Sequence, residues 1–288
     1  MKKSVIYIVL AGLLWGTSGI FVHYLAPYGY TSLQMTGVRA AVAFLSVAIY
    51  ALIFDRRLFR AKPWELLIFP GVGAAQFLTA TSYYVAMQRV SVGVAVVLMY
   101  TAPIYVAVWS VLFLGEKMTR GKAISIGLML LGCLFVSGAL NGAIFDLVGL
   151  LVGVGSGIFY AAYTILTKTA VNRGTPPVRI SLYGFLTMTL IGLFASDPMG
   201  TVNIAQGEMT SIPLLIGLGV FTFVLPYVLY TLSMRELPAG VASALGIVEP
   251  MAATLFGVLF LGDRLSVTGV IGITMIISAV FLVGRSER

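Results

Sequence analysis

Charged side chains are scarce in this sequence. Of its 288 residues, 10% are charged and 59% are hydrophobic, whereas an ordinary soluble domain is about 25% charged and about 45–50% apolar. A soluble protein of this length would need many more polar side chains to cover its surface. The composition therefore excludes a soluble enzyme, a disordered chain and a nucleic-acid-binding domain. It indicates a protein whose surroundings are mostly lipid.

Cysteine and histidine are equally rare. The single cysteine, Cys133, cannot form an internal disulfide, and the single histidine, His23, adds too little to make a metal site. We therefore expect neither a metal nor a cofactor. An intramembrane enzyme would need a nucleophile beside a base, or a metal cluster, at membrane depth. Since the sequence offers neither, we expect a protein that is not an enzyme.

Long apolar runs fill the chain instead. A helix of about 20 residues crosses a bilayer core about 30 Å thick, and charged residues, Gly and Pro divide the chain into ten runs of this kind. The connections are short, so neighbouring helices are antiparallel. The first run follows Lys2 and Lys3 and reads as a retained span, since no cleavage site follows it. The predicted spans are 4–24, 31–54, 66–87, 91–114, 122–140, 147–167, 177–196, 212–234, 240–261 and 266–284.

Basic residues predict the orientation of these spans, because cytoplasmic loops carry an excess of Lys and Arg. With the N-terminus in the cytoplasm, all but three of the 18 Lys and Arg residues fall inside. Arg89 and Arg264 fall outside, and Arg39 lies within a span. We expect both termini in the cytoplasm, and the short loops favour a prokaryotic inner membrane. The net charge of +8 follows from this bias, so no nucleic-acid partner is expected.

The chain contains an internal repeat at an offset of 147 residues. Residues 111–116 (VLFLGE) match residues 258–263 (VLFLGD), Pro103 matches Pro250, and 11 of the 30 pairs from 87/234 to 116/263 are identical. Each copy holds an odd number of helices, so the second is inverted relative to the first. We predict two five-helix repeats, over 1–140 and 146–288, around a central cavity. Secondary transporters use inverted repeats to open one central site to either side in turn.

Short motifs in both copies resemble the EamA-type repeat of the drug/metabolite transporter superfamily. These are Trp15-Gly16, Arg39, Pro103, Leu114-Gly115-Glu116, Glu249-Pro250 and Leu261-Gly262-Asp263. The likeness covers nearly the whole chain. It implies an all-α membrane protein with ten transmembrane helices in an inverted 5+5 fold. It also implies export or import of small metabolites, such as amino acids, or of drugs. Asp263 stands where the family more commonly has Glu.

Two ionisable residues lie inside predicted spans, where such residues are expensive and usually functional. At 1.5 Å per residue, Arg39 lies roughly 12 Å from the outer boundary and Glu249 roughly 13–14 Å from the inner one. Both are therefore near the midplane. Glu249 either binds a proton or cation during transport, or hydrogen-bonds a carbonyl freed by Pro250. Arg39 either clamps an anionic group such as a substrate carboxylate, or locks helices by pairing with Glu249 or with carbonyls.

Aromatic and neutral polar residues complete the candidate binding site. An aromatic wall with a few hydrogen-bonding groups suits an amphipathic metabolite, although each of these residues could equally serve helix packing. The candidates are Trp15, Gln76, Tyr83, Tyr100, Tyr160, Tyr163 and Tyr230.

Prolines and glycines predict where the helices bend and cross. Pro103 and Pro250 occupy equivalent places in helices four and nine, so we expect both helices to bend during gating. Small residues four apart, such as Gly153 and Gly157, predict close helix crossings. Helices five and ten lack proline and internal charge. We therefore expect them at the periphery, where they could form a homodimer.

The favoured function is a secondary transporter of small amphipathic metabolites in contact with membrane lipid, working by alternating access and linked to protons through Glu249. A lipid or lipid-linked sugar flippase is an alternative, which would need a lateral opening and more headgroup contacts. A non-transporting accessory subunit is another. The buried Arg39 and Glu249 argue against the accessory subunit, because a passive scaffold rarely carries that energetic cost.

Overall fold

The computed structural model describes residues 2–140 and 146–286, and this part of the chain is helical throughout, with no β-strand. Met1, Glu287 and Arg288, which belong to the predicted repeats, and the connection 141–145 between the repeats lie outside the described residues. The helices are α1 (Lys2–Gly16), α2 (Ser18–Leu25), α3 (Ser32–Phe54), α4 (Pro63–Arg89), α5 (Val92–Met99), α6 (Ala102–Phe113), α7 (Arg120–Val136), α8 (Leu147–Asn172), α9 (Pro177–Ala195), α10 (Pro198–Gly207), α11 (Ser211–Gly219), α12 (Leu225–Ser233), α13 (Ala239–Leu245), α14 (Val248–Phe256) and α15 (Val267–Ser286).

Most of these helices are long and apolar enough to cross a membrane. In the described part of the chain there are eight such spans; α1–α2, α5–α6, α11–α12 and α13–α14 each count as one interrupted span, and α3, α4, α8 and α9 are continuous. The fifth and tenth predicted spans correspond to α7, with 17 residues, and to the apolar stretch Val267–Leu282 of α15. The all-helical class is confirmed, and the full set of ten spans stays a prediction.

The surface of the bundle carries large apolar side chains, as a lipid-facing surface must. Phe194 is 92% exposed, Leu67 84% and Phe113 75%. In water such side chains would form an apolar surface far beyond that of a soluble monomer. In a bilayer they meet hydrocarbon, while other large side chains, such as Phe69 and Phe185, are buried inside the bundle.

Three boundaries differ from the sequence prediction. α7 ends at Val136, four residues before the predicted end, and Gly138 then turns the chain with a positive φ of 70°. α10 lies in the stretch 197–211 that was predicted to be a loop, and Asp197 caps it by accepting from Gly200 N. α8 continues to Asn172, five residues beyond its predicted end.

The longer α8 brings Lys168 into the helix, whereas the sequence assigned it to a cytoplasmic loop. Its ammonium group is buried and donates to the carbonyls of Met234 at 2.7 Å and Leu237 at 2.8 Å. Two carbonyls of the connection between α12 and α13 therefore replace the water that a loop lysine would have. This contact explains why a lysine can extend a membrane helix.

Hydrogen bonds join the loops at each end of the bundle. At one end Arg179 Nη2 donates to Arg57 O at 2.8 Å, and Ser4 Oγ donates to Glu236 Oε2 at 2.7 Å. We call this end, which holds the connections 54–63, 113–120, 172–177 and 233–239, the basic face. At the opposite face the hydroxyls of Tyr30 and Ser211 are 2.8 Å apart.

Two of the four interrupted spans break at equivalent places. The α5–α6 span breaks at residues 100–101, and the α13–α14 span breaks at 246–247. These breaks coincide, to within one residue, under the 147-residue offset. Pro103 and Pro250 follow the breaks, and each lacks the N–H that would bond the carbonyl four residues earlier. Broken helices are tolerated at membrane depth where they line a cavity.

Glycines bring the spans into close contact, as their spacing predicts. A Cβ on Gly157 of α8 would lie 2.9 Å from Leu98 O, and one on Gly153 would lie 2.6 Å from Leu98 Cδ1. A Cβ on Gly16 of α1 would lie 2.6 Å from the Cβ of Ala252 in α14. Small residues at these crossings therefore bring α8 and α1 against the two broken spans.

α7 packs along α15 through Gly132 and Gly272, since a Cβ on Gly272 would lie 2.6 Å from Gly132 O. Both helices also expose apolar side chains, including Leu131 and Ile277. A homodimer through these two helices stays a prediction.

Candidate functional site

A cavity of about 110 Å³ lies where the two broken spans meet α1, α2, α3, α4, α8 and α12. An engineered cavity of about 150 Å³ is enough to hold benzene, so this one has the scale of a small solute. Its lining consists of Trp15, Ser18, Arg39, Thr79, Ala80, Tyr83, Tyr84, Met99, Tyr100, Tyr160, Thr222, Phe223, Tyr227 and Glu249.

Glu249 lies in the first turn of α14, directly after the break. Its Oε2 accepts a hydrogen bond of 2.6 Å from the hydroxyl of Tyr100, which follows α5 at the other break. The same hydroxyl lies 3.1 Å from Gly246 O, the carbonyl that Pro250 cannot bond. Gly246 O accepts from the backbone N–H of Glu249 at 2.9 Å, so the single proton of the Tyr100 hydroxyl serves the carboxyl group and orients it at the cavity.

Arg39 reaches the cavity from α3. Its Nη2 donates to Thr36 Oγ1 at 3.0 Å and to the hydroxyl of Tyr84, and its guanidinium carbon lies 5.2 Å from the ring centre of Phe223. The side chain is only 7% exposed, and its buried Nε has no hydrogen-bond partner among the described residues. A buried cationic donor without a partner is costly, so Nε is a group that a bound anion can satisfy.

The two ionisable side chains face one cavity without bonding each other. No salt bridge within 4.0 Å joins Arg39 to Glu249 in the part of the chain described. Arg39 instead uses Thr36 and Tyr84, and Glu249 uses Tyr100. Arg39 and Glu249 are therefore not directly paired in this conformation, and the roles given to them from the sequence stay predictions. Each charge remains available to a solute between them.

Aromatic rings form the rest of the wall. Tyr227 lies at the centre, with its ring centre 5.1 Å from Trp15 and 4.8 Å from Phe223. Tyr160 crosses Tyr100 edge to face at 6.4 Å. Rings at these distances attract one another beyond simple burial. The wall is therefore a preformed, largely apolar surface with hydroxyl groups at a few points.

Of the residues proposed from the sequence, Trp15, Arg39, Tyr83, Tyr100, Tyr160 and Glu249 line the cavity. Tyr163, Tyr230 and Gln76 do not. Tyr230 is fully buried behind the wall, with its hydroxyl 2.9 Å from Thr164 Oγ1, and Tyr163 stacks on it at 5.9 Å. Gln76 is buried where a Cβ on Gly184 of α9 would lie 3.3 Å from its Oε1. The side chains of Tyr163, Tyr230 and Gln76 pack between neighbouring helices, behind the side chains that line the cavity.

Tyr84 and Tyr227 line the cavity but were missed by sequence reasoning. On α4 the cavity face includes Thr79, Ala80 and Tyr84 besides the candidate Tyr83. Tyr227 lies three residues before Tyr230, on the same side of α12. Its signal was the cluster of aromatic residues in 221–230, which is visible in the sequence.

A π-helical segment, Val220–Val224, precedes α12 and places Thr222 and Phe223 at the cavity. Pro226 follows it in the first turn of α12. Single π turns are common at functional sites. Among the described residues, no three His, Cys, Asp or Glu side chains come together in a way that could hold a metal ion.

Known proteins match the whole chain. The profile of the EamA-like transporter family matches residues 2–138 and again 147–285. An uncharacterized transporter of Archaeoglobus fulgidus is 31% identical over 285 residues, which is 99% of this chain and 97% of that one. The uncharacterized inner membrane transporter YicL of Salmonella typhimurium is 24% identical and is matched over 97% of its length, and over 100% of this chain.

A named exporter is similar over a shorter stretch. The threonine/homoserine exporter RhtA of Escherichia coli is 27% identical over 232 residues, which is 76% of this chain and 73% of that one. A crystal structure of another protein superposes with a TM-score of 0.79 at 15% identity and covers 100% of this chain and 98% of its own. At that identity the superposition bears on the fold alone. From the family profile and these relatives, this chain is a multi-pass integral membrane protein that belongs to the EamA-like transporter family.

Proposed function

We propose that this transporter moves amino acids or related zwitterionic metabolites through the cavity between Arg39 and Glu249. The observation that carries the proposal is that two side chains of opposite charge, the buried Arg39 and the partly buried Glu249, line one small cavity without a salt bridge between them. A substrate carboxylate would accept from the free Nε of Arg39. A substrate ammonium group would lie near Glu249, and the aromatic wall would pack against its apolar part.

The cavity volume favours a small solute over the flippase alternative. About 110 Å³ is below the roughly 300–1,000 Å³ of pockets that hold drug-sized ligands. A lipid-linked sugar would exceed it many times over. An accessory subunit would have no use for the unpartnered Nε of Arg39.

Alternating access between two inverted repeats, each with five spans, is the second part of the proposal. Two observations support it: the breaks after α5 and α13 coincide under the 147-residue offset, and the family profile matches twice, over 2–138 and 147–285. Under this arrangement the repeats rock about the cavity and open it to one face at a time. α7 and α15 complete the ten spans.

Coupling and direction are the third part. Glu249 takes up a proton or the substrate cation in one state and releases it in the other. The basic face lies on the cytoplasmic side of a prokaryotic inner membrane, as the distribution of Lys and Arg favours. Export is the favoured direction, on the likeness to a relative named as a threonine/homoserine exporter.

The test is counterflow in proteoliposomes with threonine, homoserine and their derivatives. We expect the free zwitterions to exchange, while methyl esters, which lose the carboxylate, and N-acetyl derivatives, which lose the ammonium group, compete weakly. Arg39→Lys keeps the charge but removes the planar fork. It should weaken competition by the zwitterion about tenfold or more, because hydrogen bonds to charged groups are lost.

Arg235→Lys is the matched control, since Arg235 is exposed outside the cavity. It should leave counterflow unchanged. Esters that compete as well as their parent amino acids would remove Arg39 from substrate recognition. Absence of exchange with every zwitterion tested would remove the amino-acid proposal.

A further inference from the structure

The Leu-Gly-acid turn occurs once at each face of the membrane bundle with the same backbone geometry. Glu116 N bonds Ser110 O at 3.1 Å, and Asp263 N bonds Gly257 O at 3.1 Å. The glycine before each acid has a positive φ, 66° at Gly115 and 76° at Gly262, which a residue with a Cβ adopts at a cost. The two turns are thus built to present an acidic side chain in the same way.

At the basic face the acid is engaged. Glu116 Oε1 accepts from Ala239 N at 2.8 Å, and Ala239 is fully buried at the start of the α13–α14 span. All residues of α13 are buried as well. Lys168 holds the connection just before Ala239 through the carbonyls of Met234 and Leu237. These hydrogen bonds hold the start of the α13–α14 span at the basic face, and we call this face the fastened face.

At the opposite face the equivalent acid is disengaged. Asp263 is exposed, and its carboxylate makes no hydrogen bond or ion pair with any residue that the structure describes. The residue equivalent to Ala239 is Val92, at the start of the α5–α6 span. Val92 is 55% exposed, whereas Ala239 is 0% exposed. The α5–α6 span thus lacks the contact that closes its counterpart.

The cavity opens towards the face where the acid is free. Its partly exposed lining residues, among them Ser18, Tyr83 and Tyr84, lie on the parts of α2 and α4 that lead to the opposite face. On the other side of the cavity Tyr163 and Tyr230 are buried in the packed core. The partly exposed side of the cavity therefore lies towards the unfastened face, and its buried side lies towards the fastened one.

We propose that Glu116 and Asp263 are reciprocal gating residues of the transport cycle. Glu116 bonds the first amide of the α13–α14 span when the basic face is closed. Asp263 makes the equivalent bond to the first amide of the α5–α6 span, at Val92, when the opposite face is closed. The inference rests on the inverted-repeat part of the proposed function, and it is independent of the substrate and of proton coupling.

The test measures which face is open, without substrate and without transport. The protein is placed in lipid nanodiscs, where both faces meet solvent, in a Cys133→Ala background because Cys133 is the single native cysteine. Ser18→Cys reports opening of the cavity to the opposite face. Ser110→Cys, at a buried residue beneath the Glu116 turn, reports opening at the basic face. Rates of labelling with a hydrophilic maleimide are compared.

Glu116→Ala should raise labelling at Ser110→Cys and lower it at Ser18→Cys, shifting the ratio about tenfold, as expected for a lost hydrogen bond to a charged group. Asp263→Ala should shift the ratio the other way. Glu116→Asp keeps a carboxylate, so its labelling ratio should lie between those of Glu116→Ala and wild type. The double alanine variant should have a ratio close to that of wild type. Glu208→Ala, an exposed acid whose side chain bonds no described residue, should have no effect.

If Glu116 only stabilises the start of α13 and has no part in opening or closing, the variants should behave differently. If Glu116→Ala only lowers thermal stability and Asp263→Ala changes nothing, or if both shift the ratio in one direction, the proposal is overturned. If Glu116→Ala does not fold, Asp263→Ala still decides, because it must lower labelling at Ser110→Cys. Reciprocal shifts in a protein that exchanges no amino acid would support the gates and count against the proposed substrate alone.

Discussion

The hydroxyl of Tyr100 donates a 2.6 Å hydrogen bond to Glu249 Oε2, and so joins the breaks of two spans that the sequence repeat makes equivalent. Tyr100 and Glu249 come from different repeats, so any rocking of one repeat against the other changes their separation. A carboxyl group at this place can therefore sense the conformation of the whole bundle.

Glu249→Gln should largely abolish transport while leaving folded yield and thermal stability near wild type. The amide keeps the size of the carboxyl group and its capacity to accept from Tyr100, and it removes titration. We expect the imposed pH gradient to drive wild-type uptake and to have no effect on the variant. The measurement is uptake in proteoliposomes with and without a pH gradient, alongside a melting curve in detergent.

Tyr100→Phe separates the two roles of Glu249. It removes the hydrogen bond to the carboxyl group and leaves titration possible, so we expect reduced but gradient-dependent transport. A Glu249→Gln variant with full activity and normal stability would contradict both roles. A destabilised Glu249→Gln variant that is rescued by a second change at Arg39 would instead restore the ion-pair interpretation.

Gly157→Ala should destabilise the protein by about 1–3 kcal/mol, the range for overpacking a close contact. Its Cβ would lie 2.9 Å from Leu98 O and 3.1 Å from Met99 O, which are backbone atoms beside the break after α5. Gly155→Ala, on the same helix, is the matched control, because its only neighbour within 4 Å is Phe159 at 3.9 Å. Thermal unfolding of both variants in one detergent is the measurement.

A small difference between the two alanine variants would show that α8 can move away from α5 without penalty. The close crossing would then be incidental to stability. A large effect on transport with a small effect on melting would indicate that the contact is needed mainly in another conformation.

The orientation of the bundle can be tested by labelling. With the basic face in the cytoplasm, Gln206→Cys on α10 should react with an impermeant maleimide in intact cells, and Lys117→Cys should react only after permeabilisation. Both residues are exposed. Fluorescent or phosphatase tags on the two termini should report the cytoplasm. Labelling of Lys117→Cys in intact cells would reverse the orientation.

Local patterns in the sequence predicted the site only in part, for a physical reason. Arg39, Glu249 and Pro250 are visible because a charge or a proline within an apolar run is costly wherever the helix faces. Tyr163 and Tyr230 lie behind the cavity lining in this structure, and the sequence does not separate this place from the cavity wall because an aromatic side chain is stable in both. Choosing between these places needs the rotation of each helix, which is set by its neighbours.

Helix interruptions show the same limit. The positions of Pro103 and Pro250 predict that two spans bend, and the structure has breaks there. Pro226 likewise predicts an interruption of the α11–α12 span, but a proline does not indicate that the preceding turn, Val220–Val224, is π-helical. Lys168 was placed in a loop because its stabilising carbonyls come from residues more than 60 positions away.

Pro250→Ala should slow transport more than it reduces folded yield. Alanine supplies the N–H that Pro250 lacks, and this donor can bond Gly246 O, the carbonyl that Tyr100 now contacts at 3.1 Å. The α13–α14 span then becomes more continuous and harder to bend at its middle. Pro103→Ala should act in the same direction on the α5–α6 span. Turnover at saturating substrate is the measurement, with yield and melting temperature recorded for the same preparations.

Pro226→Ala provides the comparison for these hinges, since Pro226 lies in the first turn of α12, outside the two equivalent breaks. If all three alanine variants slow turnover equally, bending is a general property of the bundle. If Pro103→Ala and Pro250→Ala both leave turnover unchanged, the breaks are fixed features that shape the cavity, and the motion of the repeats must occur elsewhere. Slowing confined to those two variants would locate the hinges of the cycle beside Tyr100 and Glu249.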